Sequence, residues 1–282
     1  GCTIATSGTT LPGSCTGGTA SSGLGVAGVA GLANPGGIAV NPVSDELLVA
    51  DYGNSRVMKY VASSGAFIGW NGKVSVVPSG GPGTCTSASV DTATPDMCQG
   101  GLSAPCEGIG MFATFSLYGL AVDTSTGQYY ALDRGRVQKF ASNGNSPVWS
   151  GAEIATHPSW GFSGFPVAGT GDGAMKNPKG VTTDGTYLYV TESQNHRISR
   201  FTIAGTFSGW IGKIATSPTG GDPGCNGAPA NTLTPGWCTG GASRQDNLTP
   251  HIGGFSLPNG IAYAGSFLYV SDISHRILKY NA

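Results

Sequence analysis

Charge is scarce in this chain. Asp, Glu, Lys and Arg make up 10% of its 282 residues, and the formal net charge is −1 at pH 7. A nucleic-acid face needs a surplus of Lys and Arg, and a solvated disordered chain needs high net charge, so neither reading fits. Long apolar runs are missing too: none approaches the ~18 residues that a membrane-spanning helix requires. No stretch carries helical periodicity of useful length. There is no Cys-x-x-Cys pair to suggest zinc and no Gly-x-Ser-x-Gly to suggest a nucleophile elbow. The chain starts at Gly1 rather than Met, as expected of a processed product or an excised domain.

What is abundant is glycine, 48 of 282 residues or about 17% against the usual ~7%. Without a Gly-X-Y period this reads as many tight turns between short strands. Seven cysteines add a second pattern. Cys2 and Cys15, Cys85 and Cys98, and Cys225 and Cys238 are each 13 positions apart. Three equal separations predict three local disulfides, and hence an oxidising, extracytoplasmic setting. Cys106 is left over; its counterpart in the second half of the chain is Asp246, so the repeat does not need it, and it reads as a free thiol or else as a competitor of Cys85 for Cys98.

The chain repeats itself. Trp70 and Trp210, Cys85 and Cys225, and Arg136 and Arg276 are 140 residues apart, and Arg56 and Arg197 are 141 apart. Each copy holds two smaller units, which gives four. In each unit a short strand of small apolar residues comes first (Ile38-Ala39-Val40). An alternating strand follows: Leu47-Leu-Val-Ala-Asp51, Tyr129-Tyr-Ala-Leu-Asp133, Leu188-Tyr-Val-Thr-Glu192 and Leu268-Tyr-Val-Ser-Asp272. A third strand opens on arginine, at Arg56, Arg136, Arg197 and Arg276. A fourth strand is predicted at Phe67-Ile-Gly-Trp-Asn-Gly-Lys73 and Phe207-Ser-Gly-Trp-Ile-Gly-Lys213.

The Pro-x-Gly-Ile-Ala-Val start, the Val-Ala-Asp strand end and the Asn-x-Arg opening of the third strand resemble NHL repeats. That resemblance implies an all-β fold, a β-propeller; the four first-strand signatures of this chain point to four blades, with six, the common number in the family, as the alternative. The expected layout is one domain. Residues 1–6 form a strand that closes the last blade, and blades occupy residues 32–75, 115–156, 175–216 and 255–282. Cysteine loops without strand patterning fill 76–112 and 217–254. A terminal closing strand leaves no open end to the ring.

Loops on a rigid scaffold are where binding residues usually sit. The turns between second and third strands are expected to share one face with the cysteine loops. Candidate ligand-binding residues there are Trp237, Trp160, Tyr52, Asn54, Asn195, His196 and His275. Trp237 is either a stacking surface for a sugar or protein, or a cover for its own disulfide. Asp51, Asp133, Glu192 and Asp272 recur with the arginines Arg56, Arg136, Arg197 and Arg276. They read as ion-pair braces of the turn; the other reading is an acidic ring holding a channel cation. His196 and His275 occupy matching positions, and repetition favours a surface role over catalysis.

The expected function is therefore non-catalytic. The chain reads as a secreted or cell-surface binding or adhesion propeller that recognises a glycan, a protein or a surface polymer. It fits a tip module of a larger surface or fibre protein, where homo-oligomers would follow. No cofactor and no nucleic-acid partner are expected. A metal-dependent propeller lyase or lactonase is the enzymatic alternative, and a purely structural spacer the third reading.

Overall fold

A computed structural model describes residues 31–105, 111–112, 117–133, 136–144, 169–247 and 253–282. The chain divides into two compact units, Gly1–Asp133 with Gln138–Val148, and Arg134–Val137 with Trp149–Ala282. The expected closing strand at residues 1–6, the Cys2–Cys15 bridge, Cys106 and Trp160 lie outside the described residues. So does the end of the expected blade 115–156, from residue 145 on.

The described residues are all-β apart from single 3-10 turns. In the first unit, β1 (Pro35–Asn41), β2 (Glu46–Asp51), β3 (Arg56–Val61) and β4 (Phe67–Val76) run antiparallel in sequence order, and β5 (Leu102–Ala104) adds outside β4. A second sheet follows from β6 (Leu117–Val122), β7 (Tyr129–Asp133) and β8 (Arg136–Phe140). β1 lies close against β6. A Cβ on Gly37 would fall 2.7 Å from the Tyr118 carbonyl oxygen, so only glycine permits that approach. Leu48, Val57, Phe112, Leu120, Tyr129 and Phe140 share one buried cluster. Each such side chain contributes about 1.5–3 kcal/mol on burial.

The second unit repeats the plan. β9 (Pro178–Thr183), β10 (Tyr187–Glu192), β11 (Arg197–Thr202) and β12 (Phe207–Thr216) form an antiparallel sheet. β13 (Gly220–Gly221), β14 (Cys238–Thr239) and β15 (Ala242–Arg244) extend it beyond β12. The last sheet is β16 (Ile261–Ala264), β17 (Phe267–Asp272) and β18 (Arg276–Asn281). Every strand read from periodicity and covered by the described residues is present.

The cysteine segments differ from expectation. Stretches 76–112 and 217–254 contain short strands rather than none. Trp70 bridges to Cys98 and Trp210 pairs with Cys238, so each segment is hydrogen-bonded along the outer strand of its sheet. The indole N–H of Trp70 donates to the Gly100 carbonyl (2.9 Å) and that of Trp210 to the Gly240 carbonyl (3.0 Å). The two tryptophans thus hold these segments down, a role that two- and three-residue strands hide from any periodicity test.

Candidate functional site

The two cysteine segments are closed as their spacing predicts. Cys85 is bonded to Cys98 and Cys225 to Cys238, with Cα–Cα separations of 5.4 and 5.3 Å. All four cysteines are fully buried. Serines tie each segment to the nearest turn: Ser103 Oγ donates to the Asn54 carbonyl (2.7 Å), and Ser243 Oγ donates to the Asn195 carbonyl.

The turns themselves are built around acid–arginine pairs. Arg56 Nε donates to Asp51 (2.8 Å), Arg197 Nε to Glu192 (2.9 Å) and Arg276 to Asp272 (2.8 Å). The guanidinium of Arg197 also donates to the carbonyls of Thr170, Gly171 and Ala174 at 2.9–3.0 Å. Glu192 accepts from the backbone N–H of Lys176 (3.2 Å), from Asn195 Nδ2 (2.5 Å) and from Ser199 Oγ. Asp133 and Arg136 are buried at the same positions of their unit. Burial pushes the Asp272 carboxyl up, but hydrogen bonds from Arg276 and from the N–H groups of Ser256 and Ser274 outweigh it and hold it below the usual range. The carboxylates of Asp51, Glu192 and Asp272 are therefore each engaged by the arginine of their own unit. Among the described residues no cluster of three or more His, Cys, Asp or Glu could hold a metal ion.

Two of the candidate ligand residues are engaged within their own turns. Asn54 donates through Nδ2 to Asp51 (2.8 Å), and Asn195 does so to Glu192 and to the Gly169 carbonyl (2.8 Å). Both are buried, because the turn closes over its own carboxylate. Ser55, His196 and His275 all adopt left-handed backbone, with φ of 52°, 52° and 57°. That shared conformation ends the turn in these three units, and it is what the matching histidine positions have in common. His196 is half-buried, and its Nδ1 accepts the Leu257 N–H at 3.0 Å. Burial, then the charge of Lys176, pulls its pKa below the ordinary histidine value. His275 is exposed, and Tyr52 is half-buried against Tyr118 with ring centroids 5.3 Å apart.

Trp237 corrects the expectation of an exposed stacking surface. It is only 5% exposed. Its segment folds back along β12, where Gly209 has no side chain; a Cβ there would lie 3.0 Å from Trp237. Trp237 packs on Tyr189 with ring centroids 5.5 Å apart. The guanidinium of Arg200 lies over it at 4.5 Å and over Tyr187 at 4.6 Å. Sequence reasoning passed over Arg200 and Tyr187. The available signal was the cation at the fourth position of every third strand: Lys59, Lys139, Arg200 and Lys279.

The NHL repeat model matches residues 32–60. No curated protein matches. Among solved structures, a nidogen/laminin complex is 13% identical, with 88% of this chain and 75% of that one covered and a TM-score of 0.39. An auxiliary nutrient binding protein from Bacteroides ovatus is 13% identical, with 88% and 48% covered and a TM-score of 0.44. Virginiamycin B lyase from Staphylococcus aureus is 12% identical, with 88% and 66% covered and a TM-score of 0.39. The chain spans about half the length of the Bacteroides protein.

Proposed function

We propose that this NHL-repeat protein is a non-catalytic, extracytoplasmic binding module. In this reading the four sheets are the blades of a four-bladed propeller. The two disulfide-closed segments are its recognition elements, and the ligand is a glycan, a protein or a surface polymer. One observation carries the reading. The two segments share a frame, from the disulfide to the Trp–carbonyl bond and the serine tie to the turn. Met97 against Gly69 and Trp237 against Gly209 are buried beneath that frame and anchor it, which leaves the exposed residues of each segment for contact. Loops held in this way suit recognition, because ordering costs at binding are small when loops are held beforehand. Disulfides of this kind persist in oxidising compartments.

The test is a glycan-array and partner-capture screen with the oxidised chain and with the Cys225→Ser/Cys238→Ser double variant. Binding by the oxidised chain that is lost in the folded variant is the expected outcome. A ligand held equally well by both, or a chain that binds nothing in either format, defeats this assignment.

A further inference from the structure

The four strand-three cations are not equivalent in their surroundings, and the difference marks a site. Lys59 donates to the Glu46 carboxylate at 2.6 Å and to the Ser142 carbonyl, so it is neutralised and covered. Lys139 lies 5.8 Å over Tyr130, and Lys279 lies 3.6 Å over Phe267. At the third unit the lysine becomes arginine, and Tyr187 stands where the first unit has Glu46. The counter-ion is thus replaced by an aromatic ring. Arg200 is stacked between Tyr187 and Trp237, and among the described residues it has no carboxylate within ion-pair distance. Its only described hydrogen bond is from Nη2 to the Ser208 carbonyl at 3.3 Å, and its Nε is buried without a partner. The nearest acid on β10 and its turn, Asp184, is spent elsewhere. It accepts from the Tyr189 hydroxyl (2.8 Å) and from the N–H groups of Thr186 and Tyr187.

A guanidinium packed on two rings, with Nη2 donating to the Ser208 carbonyl, cannot rotate freely. With Nε buried, the Nη1/Nη2 end is the part left to meet a carboxylate through two parallel hydrogen bonds. Lysine could not be oriented this way. Tyr187 is half-exposed, and so is Tyr263, which is stacked at 6.5 Å and 10° on Tyr189, the residue opposite Arg200 on β10. Aromatic faces next to a cationic fork suit the apolar face of a sugar ring that bears a carboxylate better than they suit an inorganic anion.

We propose that Arg200, held between Tyr187 and Trp237, binds the carboxylate of an acidic saccharide, with Tyr187 and Tyr263 as the flanking ring surfaces. This rests on the binding-module reading, and it names the ligand chemistry and a position along β11 removed from the turns. The first unit serves as a built-in contrast, since the same strand position there is internally paired.

Calorimetric titration of the intact chain at low salt, with an oligogalacturonate, a neutral oligogalactoside of the same length, a tetraglutamate peptide and inorganic phosphate, tests it. The acidic oligosaccharide should bind, and Arg200→Gln should weaken it by about tenfold or more. Arg200→Lys should fall between. Tyr187→Glu restores the arrangement that the first unit already tolerates, so it should fold and yet lose binding as Arg200→Gln does. Lys59→Gln should change nothing. Equal affinity for the neutral oligomer, tighter binding of the peptide or phosphate, or an unchanged affinity in Arg200→Gln and Tyr187→Glu overturns the assignment. So does no binding of the acidic oligomer at millimolar concentration. A chain that binds some other ligand in the screen, insensitively to Arg200, overturns this site and leaves the module reading standing.

Discussion

Replacing Arg197 with methionine removes the partner of a fully buried carboxylate. Arg197 and Glu192 are both 0% exposed at 2.9 Å. The substitution also strands the carbonyls of Thr170, Gly171 and Ala174, which lose the guanidinium that now donates to them. Breaking a buried pair from one side costs about 3–5 kcal/mol, because the remaining charge has no water to return to. The Glu192 carboxylate keeps its bonds from Lys176, Asn195 and Ser199, so the lower half of that range applies. Arg276 makes the matching pair with Asp272 but is 18% exposed, so water can reach the gap. Arg276→Met should cost about 1.5–3 kcal/mol. Adding Glu192→Leu to Arg197→Met removes the orphaned charge and should recover part of the loss. Urea unfolding with disulfides intact gives the free energies, and hydrogen exchange in β10 and β11 locates the damage. A loss below about 1 kcal/mol for Arg197→Met, or a further loss on adding Glu192→Leu, would refute the reasoning.

Three further outcomes follow from the same structure. The double variant Cys225→Ser/Cys238→Ser should lose about 3 kcal/mol of unfolding free energy, since the bridge closes a loop of 13 positions; an unchanged urea midpoint contradicts this. Stability should fall as pH drops. His196 has a folded pKa below its unfolded one, so its share is full above about 6.5 and is lost as pH falls from there through the lower folded value. Asp272, also depressed, adds a second loss below about 3.9; a melting temperature that rises on acidification through both windows speaks against both assignments. Gly69→Ala places a Cβ 2.5 Å from the Met97 carbonyl oxygen and should cost about 1–3 kcal/mol. Gly171→Ala meets nothing within 4 Å and should stay within about 0.5 kcal/mol; equal effects in thermal melts exclude the contact as the cause.

The strands were legible because alternation recurs four times and errors in one unit are corrected by the others. Asp51 with Arg56 and Glu192 with Arg197 could be read as braces because a charge kept in every unit at fixed spacing must be paired when buried. The Cys85–Cys98 and Cys225–Cys238 disulfides followed from spacing alone. What escaped was side-chain depth. Trp237 sits in a Gly- and Pro-rich stretch that reads as open loop, and its burial depends on Gly209, a residue 28 positions earlier that leaves room for it. Asn54 and Asn195 read as exposed turn residues. Their burial arises because a short turn must satisfy its acid from within. Arg200 was hidden by sameness: a cation recurs at that position, and what distinguishes it is the change of its neighbours on the adjacent strand, from Leu48 to Tyr189 directly opposite and from Glu46 to Tyr187 on the diagonal.

The pairing of β5 with β4 and of β15 with β12 has a consequence for behaviour in concentrated solution. An outer strand with open N–H and C=O groups is a template on which another chain can add. Here those groups on β4 and β12 are already occupied by segments of the same chain, and a disulfide closes the loop just before each covering strand. Reduction therefore does more than lower stability. It frees the covering segment and exposes two strand edges, so colloidal solubility becomes a redox property, and light scattering should rise in reductant before the sheets themselves unfold.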